Sequence, residues 1–175
     1  MARYRHKLLD FEIDKLTNSI ENVVSGDSLS TDIVLLDKTD LKQVSKKIGW
    51  VFNWKKEFSL NDRSVYKLTI RNSSGIIQGL ISITLKSDHV YMNLIESAPF
   101  NKGSHKVYRG VPGNLVAFAC MLSFHHGFEG AMSFHSKTRL IHHYSETLGA
   151  VHVGGHLMVL LGDASRILVD KYFGK

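Results

Sequence analysis

The chain has 175 residues, a length at which a single domain builds one hydrophobic core. Apolar residues make up 43% of it and charged residues 22%, as in ordinary soluble globular proteins. No apolar run approaches the roughly 20 residues that span a bilayer, and no apolar signal core follows the basic residues 1–7. We therefore expect a cytoplasmic protein, neither secreted nor inserted in a membrane. The single cysteine, Cys120, excludes an internal disulfide and a cysteine-based zinc site.

The net charge at pH 7 is +6, from 22 Lys and Arg against 16 Asp and Glu. This excess favours acidic partners such as nucleic acid or phosphorylated cofactors. A soluble protein whose surface is simply basic has the same excess, so the charge leaves both interpretations open.

The first quarter of the chain is the hardest to interpret. Residues 1–30 place apolar side chains in a charged background that suits either a short strand or a helix. Residues 33–36 predict a short buried strand. Asp40 is positioned to cap a helix that ends at Gly49. The bulky apolar cluster within residues 50–54 is predicted to lie in the core.

A run of strands is predicted next. Apolar and polar residues alternate along residues 65–71, 77–85 and 90–94, which is the period of half-buried strands. Short turn segments separate them, so we expect an antiparallel meander whose last strand continues toward Pro99.

The spacing of apolar residues becomes helical at Gly113. The helix that begins there is apolar nearly all round and should be buried against a sheet. This order of elements implies a single α/β or α+β domain, with a mixed sheet and helices on its faces. The remaining predicted elements are a strand over 131–135, a helix over 138–148 ended by Gly149, a strand over 151–161 with a bulge or kink at Gly154 and Gly155, and a last helix capped by Asp163.

The loop 108–115, between the meander and the buried helix, has the composition of a phosphate site. Gly110 and Gly113 let backbone amides approach a ligand, and Arg109 adds a positive charge. The helix N-terminus adds free N–H groups and about half a positive charge. A tight turn with Pro112 in the first helical turn is the alternative interpretation.

The loop 109–115 is followed by a helix, a strand and the segment 137–150, which carries Tyr144 just before Leu-Gly-Ala. This arrangement resembles the GNAT superfamily of acyl-CoA-dependent N-acetyltransferases over residues 32–161. The resemblance implies a mixed, mostly antiparallel central sheet flanked by helices, in which two splayed parallel strands form the acyl-CoA cleft. Residues 1–175 would then be one GNAT-like domain.

Two segments lie outside the resemblance, an N-terminal extension over residues 1–30 and a C-terminal helix over residues 163–173. Within it, Pro112 and Asn114 stand where the family often has glycine-like residues, and Lys137 replaces a common asparagine. Because of these departures, a GNAT fold that binds a ligand or a partner without catalysis is an alternative to an active enzyme.

The resemblance implies acetyl-CoA as the cosubstrate. Its pyrophosphate would sit on the loop amides, and its pantetheine arm would pair with the end of the meander's last strand. A backbone N–H of that strand would polarise the thioester carbonyl. The implied binding residues are Leu94, Ile95, Ser97, Arg109, Gly110, Val111, Gly113, Asn114, Leu115 and Lys137.

Three side chains are candidates for proton transfer. Tyr144 is the candidate acid for the leaving thiolate, because a phenol keeps its proton at neutral pH; packing of its ring on the helix is the alternative. Glu96 is the candidate base, acting through water, and a solvated or salt-bridged carboxylate is its alternative. His135 could replace Glu96 as the base, with a hydrogen-bonded structural histidine as its alternative.

The ten histidines do not form a convincing metal site. Neighbouring histidines on a helix diverge by about 100°, so residues 125–126 and 142–143 do not chelate through both rings. His152 and His156 would share a face only in a helix, which Gly154 and Gly155 disfavour. We predict no metal.

The function expected from the resemblance is acetyl transfer from acetyl-CoA to an amine of an unidentified acceptor, by direct attack. One alternative is a catalytically degenerate GNAT fold that binds a CoA ligand or a partner. A second alternative is a tRNA-directed acetyltransferase toxin, which the positive charge keeps open. The family often forms dimers, so a homodimer is an expectation from the resemblance alone.

Overall fold

The computed structural model describes residues 6–174, which form a seven-stranded sheet, a three-stranded sheet and four α-helices. The strands are β1 (Ile20–Asn22), β2 (Ser28–Leu29), β3 (Thr31–Leu35), β4 (Ser64–Ile70), β5 (Ser73–Leu85), β6 (Val90–Ser97), β7 (Tyr108–Arg109), β8 (Met132–His135), β9 (Val151–Gly154) and β10 (Leu157–Leu160). The α-helices are α1 (Trp54–Ser59), α2 (Val111–His125), α3 (Ile141–Leu148) and α4 (Gly162–Phe173), and short 3-10 helices cover Lys38–Gln43, Lys46–Ile48, Pro99–Asn101 and Thr138–Leu140.

The large sheet has the strand order β3-β4-β5-β6-β8-β10-β9. All neighbouring strands are antiparallel except β6 and β8, which run parallel. The consecutive strands β4, β5 and β6 confirm the predicted meander. The parallel connection from β6 to β8 carries α2, as a crossover of this kind requires. The mixed sheet with flanking helices confirms the predicted fold class.

The small sheet holds the N-terminal part of the chain against the loop before α2. Its order is β2-β1-β7, with Glu21 opposite Arg109 and Asn22 opposite Tyr108. Because β7 leads directly into α2, this pairing fixes β1 beside the N-terminus of that helix.

Helix α2 is buried on almost every side because it packs against β5, β6 and α4. It begins at Val111 rather than at the predicted Gly113, since Pro112 has no N–H to lose in the first turn. Gly79 on β5 permits close approach: a Cβ at that position would lie 2.6 Å from Val111 Cγ1. The start of α2 is therefore fixed closely against the sheet.

The predicted buried strand over 33–36 is wrong in its burial. β3 is an edge strand of the sheet, and its Val34 and Leu35 side chains are exposed. In the bulky cluster that follows, Trp50 and Trp54 are buried as predicted. The Val51 side chain is exposed instead, and the Val51 backbone N–H donates to the buried Glu96 carboxylate.

Asp40 does not cap a helix that ends at Gly49. Two 3-10 helices replace it, and Asp37 caps the first through the backbone N–H groups of Thr39 and Asp40. The Asp40 carboxylate accepts the Asp37 backbone N–H at 2.9 Å and pairs with Lys67 Nζ at 2.8 Å. This reciprocal capping box satisfies the free N–H groups of the turn without a longer helix.

The predicted strand over 151–161 is a hairpin of β9 and β10. Gly154 and Gly155 have φ angles of 126° and 54°, which glycine adopts without a steric penalty. The chain therefore reverses at this pair, and the β9–β10 register shifts directly beside it, between Leu157 and Met158, as a bulge does. The helix ended by Gly149 is confirmed, and that residue takes the left-handed conformation with φ of 71°.

The predicted C-terminal helix is confirmed as α4, but Asp163 is not its cap. The N-cap is the extended Leu161, and Asp163 lies in the first turn, where a carboxylate complements the helix dipole. No helix within residues 6–174 is long and apolar enough to cross a membrane. The same residues hold no group of three or more His, Cys, Asp or Glu side chains arranged for a metal ion.

Candidate functional site

The main opening in the sheet lies between the parallel strands β6 and β8. Their pairing is limited to Val90 with Met132 and Tyr91 with Ser133. Directly afterwards, the β5–β6 register shifts between Ser82 and Ile83, so that β6 carries an extra residue there. A β-bulge bends the strand that contains it. The carboxyl-terminal half of β6 therefore diverges from β8 and leaves a cleft.

Residues 6–17, which we call the insert segment, enter this cleft. The Leu9 N–H donates to the His135 carbonyl at 2.8 Å, and the Lys137 N–H donates to the Leu9 carbonyl at 2.9 Å. Between them, the Ser136 N–H donates to His156 on the β10 side at 2.8 Å. Successive backbone groups of a strand point to opposite edges, so Leu9 lies on the edge of β8 that faces β6.

The candidate acid Tyr144 lies under the insert segment. Its hydroxyl donates to the Phe11 carbonyl, and its ring stacks on the Phe11 ring with centroids 4.6 Å apart. The side chain is fully buried. Burial raises the pKa of Tyr144 well above the ordinary value for a phenol. The hydroxyl is therefore a protonated donor at neutral pH, and its present acceptor belongs to the chain itself.

The second candidate base, His135, lies at the mouth of the cleft. Its Nδ1 is 2.6 Å from the Tyr91 hydroxyl on β6, and its ring stacks on His6 with centroids 4.2 Å apart. Burial lowers the pKa of His135 below its ordinary value, and nearby His6 and His156 lower it further. A neutral imidazole at pH 7 is able to accept a proton.

The lowered pKa of His135 predicts a loss of stability in acid. The unfolded chain takes up this proton near the ordinary pKa of about 6.5, whereas the folded chain resists it. The stabilisation is therefore complete above about pH 6.5 and declines as the pH falls through the folded pKa. We expect urea unfolding between pH 8 and 5 to show a weaker pH dependence in His135→Gln than in the unmodified chain. Equal slopes would contradict this assignment.

The first candidate base, Glu96, is buried and already bonded at both carboxylate oxygens. Oε2 accepts the Val51 N–H at 2.7 Å and pairs with the Lys102 ammonium. Oε1 accepts the Phe52 N–H at 3.2 Å and the Trp54 indole N–H at 2.8 Å. The four donors favour the salt-bridged alternative that the sequence left open.

The loop before α2 also meets the insert segment. Gly110 has φ of 92°, and its N–H donates to Asp14 Oδ1 at 3.1 Å, while Asp14 Oδ2 pairs with Lys106 Nζ at 2.9 Å. Gly113 is covered as well, since a Cβ there would meet the Tyr172 hydroxyl and lie 3.1 Å from Leu16 Cδ2. The helix N-terminus thus holds an anion, and that anion is a carboxylate of the same chain.

Two predicted cations of the site are paired with acidic residues of the N-terminal region. Arg109 Nε lies 3.5 Å from Glu21 Oε1 on β1. Lys137 Nζ lies 2.7 Å from Asp10 Oδ2 in the insert segment. Both cations therefore already have acidic partners within the chain.

The other predicted binding residues divide into buried and lining positions. Asn114 is buried, and its Nδ2 donates to Thr31 Oγ1 at 3.0 Å, while its Oδ1 has no partner among the described residues. Ser97 lines a cavity of about 360 Å³ between β6, the insert segment and Pro112. Of the remaining predicted residues, Leu94, Ile95, Val111 and Leu115 are buried in the core, and Ile95 also borders the cavity.

Sequence reasoning missed Phe11, Asp14 and Tyr91 as residues of this site. The signal for the first two was present, because Leu9, Phe11 and Ile13 are apolar at every second position, the period of a strand. Tyr91 carried no separate signal, since only the parallel pairing of β6 with β8 brings it to His135.

No protein-family model and no curated protein matches the sequence. Solved structures do match. The spermidine N-acetyltransferase of Vibrio cholerae in complex with CoA and spermine aligns with a TM-score of 0.52 at 15% identity, over 78% of this chain and 98% of that one. Mutant forms of the spermidine/spermine N-acetyltransferase SpeG from the same organism align at 0.54 and 15% identity, over 79% and 97%. The AtaTR structure bound with AcCoA aligns at 0.52 and 12% identity, over 79% and 98%.

The chain has the GNAT fold. The sheet order, with one parallel pair that opens after a bulge, is the splayed arrangement that the sequence resemblance implied. The opening between β6 and β8 is the position at which the sequence resemblance predicts a cleft. Ahead of the GNAT strands, this chain carries the insert segment, which lies in that cleft.

Proposed function

We propose that the chain is an N-acetyltransferase that transfers an acetyl group from acetyl-CoA to an amine by direct attack. The observation that carries the proposal is the opening between β6 and β8, which has the Tyr144 hydroxyl on one wall and the N-terminus of α2 at one end. Acyl transfer from acetyl-CoA needs a proton donor at the sulfur end of the CoA molecule and an anion-binding group at its pyrophosphate end. A protonated phenol suits the first, and a helix N-terminus suits the second.

The chemistry requires two proton movements. The acceptor nitrogen attacks the thioester carbonyl, a C–N bond forms, and the C–S bond breaks as the CoA thiolate leaves. The nitrogen gives up a proton, and the thiolate gains one. Tyr144 is suited to the second step because a phenol is protonated at neutral pH and its hydroxyl is a hydrogen-bond donor in the cleft.

His135 is better suited than Glu96 to receive the proton of the amine. Its imidazole is kept neutral by burial, whereas the Glu96 carboxylate is bonded to four donors. Glu96 would instead position the end of β6, since it ties that strand to the backbone of residues 51 and 52.

The donor would be held at the loop and along β6. The Gly110 N–H already donates a hydrogen bond to a carboxylate, so the same amide suits a pyrophosphate oxygen. Arg109 and Lys106 would add charge at this end. Ile95 and Ser97 border the cavity through which the pantetheine arm would run.

The first test is calorimetric titration of acetyl-CoA into the full chain, with desulfo-CoA and ATP as control ligands. We expect binding in the low micromolar range and a roughly tenfold loss in Arg109→Gln, since a hydrogen bond to a charged group contributes about 1.5–3 kcal/mol. Arg166→Gln is the matched control, because Arg166 stacks on Phe124 far along α2.

The acceptor is sought next, by following CoA release over a panel of amines. Spermidine and spermine come first because one of the similar structures was solved with spermine; peptides with free amino termini come second. Turnover with any amine supports the proposal. Binding of acetyl-CoA without turnover across the panel would instead support a GNAT fold that binds without catalysis.

A further inference from the structure

We propose that the insert segment, residues 6–17, is an intramolecular competitor of the acyl donor, and that it must leave the cleft before acetyl-CoA binds. The inference rests on the proposed function, because it concerns the regulation of the same cleft. Two contacts of the segment, at the Tyr144 hydroxyl and at the Gly110 N–H, occupy groups that the proposed function assigns to the donor.

The segment first contacts the edge of β8. Leu9 forms two backbone hydrogen bonds with the edge of β8, so the segment takes the place of a missing sheet neighbour. Phe11 comes next, and its carbonyl accepts a hydrogen bond from the Tyr144 hydroxyl, which would protonate the leaving thiolate. Asp14 follows, and its carboxylate accepts a hydrogen bond from the Gly110 N–H, which would bind the pyrophosphate. A CoA molecule would present its sulfur to Tyr144 and its pyrophosphate to Gly110, in the order in which the segment presents Phe11 and Asp14.

The chemical character of the segment also matches such a ligand. Its apolar residues alternate with acids, and Leu9 and Ile13 are buried. Each acid faces a cation of the cleft rim: Asp10 pairs with Lys137 at 2.7 Å, Glu12 with Arg139 at 3.8 Å and Asp14 with Lys106 at 2.9 Å. The cleft therefore accommodates an extended chain whose one side is apolar and whose other side is anionic.

The C-terminal end of the segment is anchored in the small sheet. Beyond Thr17, the chain bends at Asn18 and Ser19 and enters β1, which pairs with β2 and β7. Release requires the Leu9, Phe11 and Asp14 contacts to break, whereas the small sheet stays paired. The contacts that break are several weak ones rather than a single covalent or metal bond, which makes reversible displacement by a ligand practicable.

Native-state hydrogen exchange on the full chain tests the displacement directly. The Leu9 N–H is bonded to the His135 carbonyl at 2.8 Å, and the Ile13 N–H to His143 Nε2 at 2.9 Å. Saturating acetyl-CoA should speed exchange of both amides by about tenfold or more, because their partners lie in the cleft walls. The Ser136 N–H is the internal control, since it is bonded to His156 on the far edge of β8 and should not change.

A second measurement uses a variant without any change of charge. Phe11→Ala removes the ring that stacks on Tyr144 and should open the segment. Since apparent affinity scales with the competent fraction, acetyl-CoA should bind about tenfold more tightly. Phe128→Ala is the matched control, because it removes a ring that stacks on His126 beyond the other end of α2; it should leave affinity unchanged.

The outcomes separate this inference from the proposed function. If acetyl-CoA binds and the Leu9 and Ile13 amides stay as protected as before, the donor uses the cleft without displacing the segment, and the inference is overturned while the function stands. If Phe11→Ala exchanges these amides rapidly and still binds no acetyl-CoA, the segment is releasable but the proposed donor is wrong. If the amides stay protected in Phe11→Ala and its affinity equals that of the unmodified chain, the segment is a fixed wall and no competitor.

Discussion

Tyr144→Phe is expected to lower kcat for acetyl transfer by about 10²–10⁴-fold, the usual contribution of a general acid. The hydroxyl is the group on the α3 wall of the cleft that can protonate a leaving thiolate, and burial keeps it protonated. The same hydroxyl holds the Phe11 carbonyl, so its loss also weakens the insert segment. We therefore expect the affinity for acetyl-CoA to be unchanged or higher while turnover falls. Steady-state kinetics combined with calorimetry measures both quantities.

Tyr66→Phe is the matched control for this experiment. Tyr66 lies on β4 and packs edge-on against Phe118 of α2, away from the cleft. Its hydroxyl can be removed with little consequence for acyl transfer, so kcat should stay within about twofold. Unchanged turnover in Tyr144→Phe would remove this residue from the acid role, and a parallel loss of kcat and affinity would indicate a defect of folding.

Glu96→Gln is expected to lower the free energy of unfolding by about 3 kcal/mol, the scale for breaking a buried charged network. The carboxylate accepts two backbone N–H groups and the Trp54 indole, and it pairs with Lys102. An amide turns an NH₂ group toward one set of these donors and leaves the Lys102 ammonium without its countercharge. Urea unfolding at pH 7 measures the loss, with an unchanged m value as the sign that the native state is intact.

Glu12→Gln makes the same chemical change on the same cavity and serves as its control. The Glu12 side chain is 67% exposed and its nearest cation, Arg139, lies 3.8 Å away. Exposed pairs contribute about 0–1 kcal/mol, so its unfolding should hardly change. A Glu96→Gln variant with full stability but strongly reduced turnover would restore Glu96 as the general base and contradict the structural role argued here.

Local patterns of apolar residues were enough to predict most of the elements of the large sheet. Alternating apolar residues defined β4, β5 and β6, and the helical spacing after the loop defined α2, because these periods follow from local backbone geometry. The segment 137–150 and the loop 109–115 were enough to indicate the GNAT fold, although Gly113 is not the first residue of the helix. Errors fell on burial and on turns: β3 is an edge strand with exposed side chains, Asp37 rather than Asp40 makes the cap, and a glycine pair reverses the chain.

The occupant of the cleft is set by contacts between distant parts of the chain. Leu9, Phe11 and Asp14 lie more than 90 positions before the residues they contact in β8, α3 and α2, and no local pattern encodes partners at that separation. The alternation of apolar and acidic residues from Leu9 to Asp14 could be recognised as strand-like. The strand with which this segment pairs could not be predicted, because pairing depends on which sheet edge is left open. That edge exists only after β6 has bent away from β8 at its bulge.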